Sequence, residues 1–131
     1  RRAQAMTAVL VDTSVWVDHF RKGNARLERL LVSDAVLCHP WVLGEMACGT
    51  PPAREQTLAD LATLQMVKTS SVSELMAFVE REQLYGLGCG LIDLGLLASV
   101  LITPGAQLWT LDKRLGTLAK RFEVAFANPS H

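Results

Sequence analysis

The stretch AVLVDTSVWVD, residues 8–18, decides the fold, because an uninterrupted apolar run in it ends at the acid Asp12. Residues 8–12 predict a fully buried strand, since the run lacks the polar alternation of a half-exposed one. Thr13 or Ser14 is expected to cap a helix that begins near Val15 and ends by Gly23. A carboxylate at the end of a buried strand raises the question of which groups surround it.

Strand and helix patterns alternate along the rest of the chain. Apolar runs predict further strands at 35–38, 66–68 and 106–112, with 124–126 as a candidate fifth. Capping signals, among them Asn24 and the capping box Ser71–Glu74, and glycine or proline signals predict helices between them, the last two over about 91–102 and 113–121. This alternation predicts an α/β domain with a central, mainly parallel sheet of four to five strands flanked by helices.

The chain has 131 residues and no visible linker or internal repeat, which favours one domain. We take that domain as residues 6–131 and expect RRAQA, residues 1–5, to be an added or disordered N-terminal segment. The apolar run 87–102 contains Asp93, so we interpret it as a buried core helix rather than a membrane span. No secretory signal is recognisable. Three cysteines without a CxxC spacing favour a reducing, cytoplasmic location.

Four acids lie at positions where the apolar patterns of the strands and helices would predict no charged residue. Asp12 ends the first strand, and Asp112 ends or directly follows the fourth, so both face one edge of a parallel sheet. Glu45 and Asp93 lie in otherwise apolar helices with no Lys or Arg three or four residues away. Each acid alone has a structural explanation: Asp12 and Asp112 as helix caps, Glu45 on a polar helix face, and Asp93 at a positive helix end. Together they favour a shared acidic site.

Such a site suits a hard divalent cation, since Mg²⁺ and Mn²⁺ prefer carboxylate oxygen. A bound cation would relieve the repulsion among the acids and support hydrolysis of a phosphodiester. Three hydroxyls, those of Thr13, Ser14 and Thr110, are placed to orient the carboxylates or a water. The formal net charge is zero, so overall charge identifies no partner. Lys113 and Arg114 beside Asp112 are either a solvated helix face or a contact to a phosphate backbone.

At these residues the sequence resembles a PIN domain, and within that group the VapC-type ribonuclease toxins of bacterial toxin–antitoxin pairs. The resemblance is carried by four segments that cover the chain from Met6 onwards: VLVDTSVWVD, the lone Glu45 on the third helix, LIDLGLLASVLI and LWTLDKRL. One departure is Gly95, where the family pattern leads us to expect a small helix former such as Ala. Glycine at this position would permit close packing of helices.

The resemblance implies a three-layer PIN-like fold and endonucleolytic cleavage of RNA that depends on Mg²⁺ or Mn²⁺. It implies Asp12 and Asp93 as the principal metal ligands, with Glu45 and Asp112 completing the catalytic pocket. It also implies a homodimer and inhibition by a cognate antitoxin whose tail occupies the active-site groove.

The residues alone are also consistent with two other classes of protein: a different phosphate-handling α/β domain and a non-catalytic binding module. A receiver or an aspartyl phosphatase would also place acids at this sheet edge. A receiver, however, needs an acidic neighbour for Asp12, and an aspartyl phosphatase needs an acid at position 14, which is Ser. A non-catalytic binding module is the other alternative, because GLGCG, residues 86–90, partly matches a dinucleotide-binding fingerprint. That segment follows a predicted helix rather than a strand, which favours a loop and packing role for its glycines.

Overall fold

A computed structural model describes residues 7–126 and shows a parallel four-stranded sheet. Its strands are β1 (Ala8–Val11), β2 (Val36–Cys38), β3 (Gln65–Met66) and β4 (Ala106–Trp109). They lie in the order β3-β2-β1-β4, and every pairing is parallel. The predicted α/β fold with a parallel sheet is therefore confirmed.

Seven helices accompany the sheet within the described residues. They are α1 (Thr13–Lys22), α2 (Ala25–Val32), α3 (Pro40–Ala47), α4 (Arg54–Ala62), α5 (Val72–Glu82), α6 (Leu91–Ile102) and α7 (Lys113–Arg121). Local chemistry explains their starts: the Asn24 side chain accepts a hydrogen bond from the Leu27 N–H, and Ser71 and Glu74 form a reciprocal capping box.

Several predicted boundaries were wrong. Strand β4 ends at Trp109 rather than at residue 112, and β3 spans Gln65–Met66 rather than 66–68. Helix α1 begins at Thr13 rather than near Val15, and Asp12, not Thr13 or Ser14, occupies its N-cap position. The candidate fifth strand at 124–126 is a single bridge, because Leu108 is the one β4 residue that it pairs with. The Leu108 N–H donates to the Val124 carbonyl at 2.7 Å, and its carbonyl accepts from the Phe126 N–H at 2.9 Å. The predicted N-terminal segment 1–5, together with residues 6 and 127–131 of the predicted domain, lies outside the described residues.

The strand order fixes where a ligand can bind. Strand β1 lies between β2 and β4, so the chain changes its direction of travel across the sheet at β1. In open α/β sheets such a switch point leaves a crevice at the carboxyl ends of the strands, which is where ligands bind. Asp12 follows β1 directly, and Asp112 lies just beyond β4. The topology therefore brings these two acids to that crevice.

The core depends on β1 and α6. Val9, Leu10 and Val11 are completely buried, and each contributes about 1.5–3 kcal/mol of burial free energy. Every residue from 94 to 100 in α6 is also buried, and α6 packs against β4, α5 and α7. Within the described part of the chain, no helix has the length and apolarity needed to cross a membrane. The interpretation of this apolar run as a core helix agrees with the structure.

Gly95 permits the close packing expected from the sequence. A Cβ atom built on Gly95 would lie 2.4 Å from Cζ3 and 2.9 Å from Cε3 of Trp41, which is much closer than two carbon atoms can approach. The absence of a side chain on α6 therefore lets the indole at the start of α3 lie against the helix. Since α3 also carries Glu45, this contact helps to set the position of one acid relative to another.

Replacement of Gly95 by Ala should destabilise the fold by about 1–3 kcal/mol, because the new methyl group overlaps the Trp41 ring. Gly44→Ala is the matched control: this glycine is also helical, and nothing lies within 4 Å of the added Cβ. Alanine there should stabilise the protein by about 0.5–1 kcal/mol through helix propensity. Urea unfolding of both variants checks the pair. Equal effects would contradict the packing role of Gly95.

Candidate active site

Asp12 is the buried centre of the site, with 6% of its surface exposed. Its backbone N–H donates to the Trp109 carbonyl at 2.9 Å, which extends the pairing of β1 and β4 to the acid itself. Its side chain does not cap α1. Instead, Oδ2 accepts hydrogen bonds from the hydroxyls of Ser14 and Thr110, both at 2.7 Å.

Two backbone N–H groups determine the direction of these hydroxyl bonds. The Leu111 N–H donates to Ser14 Oγ, and the Asp112 N–H donates to Thr110 Oγ1, both at 3.0 Å. Each hydroxyl therefore accepts from the backbone and has its own proton free to donate to Asp12. Both protons bind Oδ2 of Asp12. The other carboxylate oxygen of Asp12, Oδ1, accepts no hydrogen bond from residues 7–126. That oxygen is available to a ligand.

Glu45 lies on the exposed side of α3, as its interpretation as a residue of a polar helix face predicted. Its Oε1 accepts a hydrogen bond from Thr13 Oγ1 at 2.6 Å. The three hydroxyls that were predicted to orient carboxylates bind two different acids. Ser14 and Thr110 bind Asp12, whereas Thr13 binds Glu45. The Thr13 bond links the first turn of α1 to α3.

Asp112 is exposed and serves as the N-cap of α7. Its Oδ1 accepts from the Leu115 N–H at 3.0 Å, as the capping interpretation of this acid predicted. The same residue binds Thr110 through its backbone N–H, so it is coupled to Asp12 through one hydroxyl. Capping and membership of the acidic cluster are therefore compatible. Lys113 and Arg114 are exposed in the first turn of the same helix.

Asp93 is half-buried in the first turn of α6, and its surroundings raise the pKa of its carboxyl group. Partial burial is the largest cause, followed by repulsion from Asp12, and Asp112 and Glu45 add further repulsion. The backbone N–H of Gly90 partly offsets this rise. The other three predicted acids therefore all act electrostatically on Asp93.

Sequence reasoning did not assign the segment 88–90 to the site. Cys89 is close enough to Asp93 and Asp112 for both to raise the pKa of its thiol, after the larger effect of burial, while Arg114 lowers it. Gly88 contacts the side chain of Arg114. The glycine spacing of GLGCG was the available signal, but it was interpreted only as loop and packing.

The donor chemistry of this cluster fits a hard divalent cation. Three carboxylates repel that of Asp93, and Asp12 keeps one oxygen free. Among the described residues, however, no three His, Cys, Asp or Glu side chains are already gathered as a metal-binding group. Mg²⁺ needs only one or two carboxylates, since water completes its coordination. The residues therefore fit a partly hydrated cation rather than a closed protein cage.

Comparison with known proteins identifies clear relatives. Two curated proteins named Ribonuclease VapC32, from the CDC 1551 / Oshkosh and the ATCC 25618 / H37Rv strains of Mycobacterium tuberculosis, are each 43% identical to the chain over 119 residues. The alignment covers 91% of this chain and 96% of each relative. No protein-family model matches the chain.

Asp93→Asn should increase the free energy of unfolding at neutral pH in EDTA, because it removes a charge that burial and three neighbouring acids disfavour. The pKa of Asp93 is raised in the folded state, so stability falls as pH rises through and above its ordinary value of 3.8. The advantage of the variant should therefore grow as pH rises above about 3.8 and disappear below it. Urea unfolding between acid and neutral pH measures this, with Glu80→Gln on α5 as the control for loss of one negative charge. A destabilised Asp93→Asn protein at neutral pH would contradict the repulsion.

Proposed function

The chain belongs to the VapC ribonucleases, and from that membership we propose that it cleaves RNA at the acidic cluster with Mg²⁺ or Mn²⁺ as cofactor. Its function is that of an endoribonuclease toxin of a toxin–antitoxin pair. Membership of this family favours a ribonuclease over the alternative interpretations of the chain as a receiver, a phosphatase or a non-catalytic module. The cofactor, the site residues and the partners are the proposed part.

The mutual repulsion at Asp93 is the observation that carries the cofactor proposal. Asp12, Asp112 and Glu45 all act on Asp93, and no Lys or Arg forms an ion pair with any of the four acids among residues 7–126. A site without an internal counter-ion is electrostatically incomplete, and a divalent cation would complete it. Asp12 and Asp93 are the proposed ligands: Asp12 offers a free carboxylate oxygen, and Asp93 experiences the repulsion directly.

The remaining site residues have distinct proposed roles. Ser14 and Thr110 hold the Asp12 carboxylate in one orientation, and Thr13 does the same for Glu45. Glu45 and Asp112 are exposed, so they can reach a water or a substrate group at the mouth of the crevice. A bound cation would supply Lewis-acid stabilisation of charge on the phosphate and would lower the pKa of a water.

A groove beside the acids offers a path for the RNA backbone. A cavity of about 730 Å³ extends along β4 and α7, and its lining includes Thr110, Asp112, Lys113 and Lys120. The two lysines place positive charge along a groove that begins at the acidic cluster. Lys113 and Arg114 are the proposed contacts to phosphate, since such contacts supply most of the sequence-independent affinity for nucleic acid.

Two protein partners complete the proposal. A second copy of the chain would cover the exposed apolar side chains of Met76 on α5 and Leu101 and Ile102 on α6, which are 63%, 37% and 46% exposed. A cognate antitoxin would inhibit the enzyme by placing its tail in the groove beside the acids, where it would exclude RNA.

Purified protein should cleave bacterial RNA in Mg²⁺ or Mn²⁺ and lose that activity in EDTA, because the acids need the cation to act on a phosphate. Asp93→Asn should fold and yet be inactive, since the amide keeps the shape of the side chain without its charge. Gel analysis of RNA with each protein, in Mg²⁺ and in EDTA, provides the measurement.

Glu80→Gln is again the control, and its cleavage should match that of the wild type. Equal cleavage in Mg²⁺ and EDTA by the wild type would refute the proposed cofactor. An active Asp93→Asn protein would show that this residue is not a ligand.

A further inference from the structure

The Arg114 side chain packs directly on the backbone of Gly88, and we call this contact the seat of Arg114. A Cβ atom built on Gly88 would lie 2.6 Å from Cδ, 2.9 Å from Nε and 3.0 Å from Cζ of Arg114. The end of the arginine therefore lies directly on the glycine backbone, in space that any other residue would fill. Gly88 also has a φ of +87°, a conformation that favours glycine.

This seat is at the border of the acidic cluster. Two residues after Gly88, the backbone N–H of Gly90 interacts with the carboxylate of Asp93. Cys89, between them, experiences the charges of Asp93, Asp112 and Arg114 together. On the other side, Arg114 is in the first turn of α7, two residues after the capping residue Asp112.

Arg114 is nevertheless not neutralised by the acids. Its guanidinium forms no ion pair within 4.0 Å in the part of the chain that the structure describes, although four carboxylates interact nearby. Packing on Gly88 explains this separation, because it holds the side chain against segment 88–90 instead of across the crevice. An unpaired, exposed guanidinium that packs on the Gly88 backbone beside the acidic cluster is suited to bind a phosphate in a bidentate manner.

We propose that Gly88 positions Arg114 so that its guanidinium contacts a phosphate of the RNA backbone next to the cleaved bond and stays away from the carboxylates. This inference rests on the proposed function. It distinguishes Arg114 from Lys113, which lines the groove but has no such seat. Gly88 then also has a second role: it keeps the positively charged guanidinium of Arg114 away from the carboxylates that are proposed to bind the metal.

Kinetics of five proteins test the proposal: wild type, Arg114→Gln, Gly88→Ala, Gly86→Ala and the double variant Gly88→Ala/Arg114→Gln. Gly86→Ala is the matched control, since Gly86 has a φ of +73° in the same segment but nothing within 4 Å of an added Cβ. The substrate is an RNA oligonucleotide that spans a site cleaved by the wild type. Rates are measured against RNA, Mg²⁺ and monovalent salt concentration.

Arg114→Gln should lower kcat/KM for RNA about tenfold or more, because a charge-assisted contact is lost. Its salt dependence should be shallower by about one counterion. Gly88→Ala should need several-fold more Mg²⁺ for half-maximal rate than Gly86→Ala, because the displaced guanidinium can pair with the carboxylates. The double variant should lose this extra Mg²⁺ requirement. Equal Mg²⁺ requirements for the two alanine variants, or wild-type kinetics in Arg114→Gln, would overturn the proposal.

A measurement without RNA or metal tests the position of Arg114 separately from the function. Arg114 lowers the pKa of the Cys89 thiol, so Arg114→Gln should slow alkylation of Cys89 at fixed pH in EDTA. Lys113→Gln, which removes a neighbouring charge, should leave that rate unchanged. Peptide mapping separates Cys89 from the exposed Cys48. An unchanged Cys89 rate in Arg114→Gln would refute the seat even if the enzyme is metal-dependent, whereas loss of metal dependence with a slowed rate would refute only the proposed function.

Discussion

The site depends on one buried carboxylate oxygen, Oδ2 of Asp12, that receives two hydroxyl protons. Ser14 supplies one from α1 and Thr110 supplies the other from the end of β4, and the backbone N–H groups of Leu111 and Asp112 align both hydroxyls. These bonds satisfy a charge that would otherwise be costly to bury. They also hold the connection between β4 and α7 against the end of β1. The same small network therefore closes the sheet edge and orients the central acid.

The functional consequence of this arrangement is that the carboxylate of Asp93 is repelled by its acidic neighbours. Asp12 is held in place by uncharged hydroxyl groups, which leave its negative charge to act on Asp93. Arginine and lysine are present nearby, but they lie at the rim, where Arg114 packs on Gly88 and Lys113 lines the groove. This separation of charges gives an acidic interior for a divalent cation and a basic rim for a phosphate backbone. A protein that paired these charges internally would be more stable in isolation and less able to bind either.

The sequence predicted the elements well because their signals are local. The continuous apolar run of β1, the Asn24 cap and the Ser71 capping box are each decided within a few residues, and all three agree with the structure. The shared sheet edge of Asp12 and Asp112 followed from the general geometry of parallel sheets.

Other features depend on contacts between distant residues. The sequence alone left Ser14 either as a helix cap or as a hydroxyl that orients a carboxylate. The structure shows it bound to Asp12 together with Thr110, which is 98 positions away from that acid. The exposure of Glu45 depends on which side of the short helix α3 faces the core, and its apolar composition does not reveal this. The seat of Arg114 on Gly88 likewise joins two separate segments, so the glycine spacing could indicate a loop but not its contact.

Diffraction from crystals soaked in Mn²⁺ is the most direct test of the claim that this sheet edge is a cation site. Anomalous density is expected within about 2.0–2.3 Å of carboxylate oxygens of Asp12 and Asp93 in the wild type, and it should be missing from crystals of Asp93→Asn. Mn²⁺ bound only elsewhere on the molecule, or bound equally well after Asp93 has lost its charge, would contradict it.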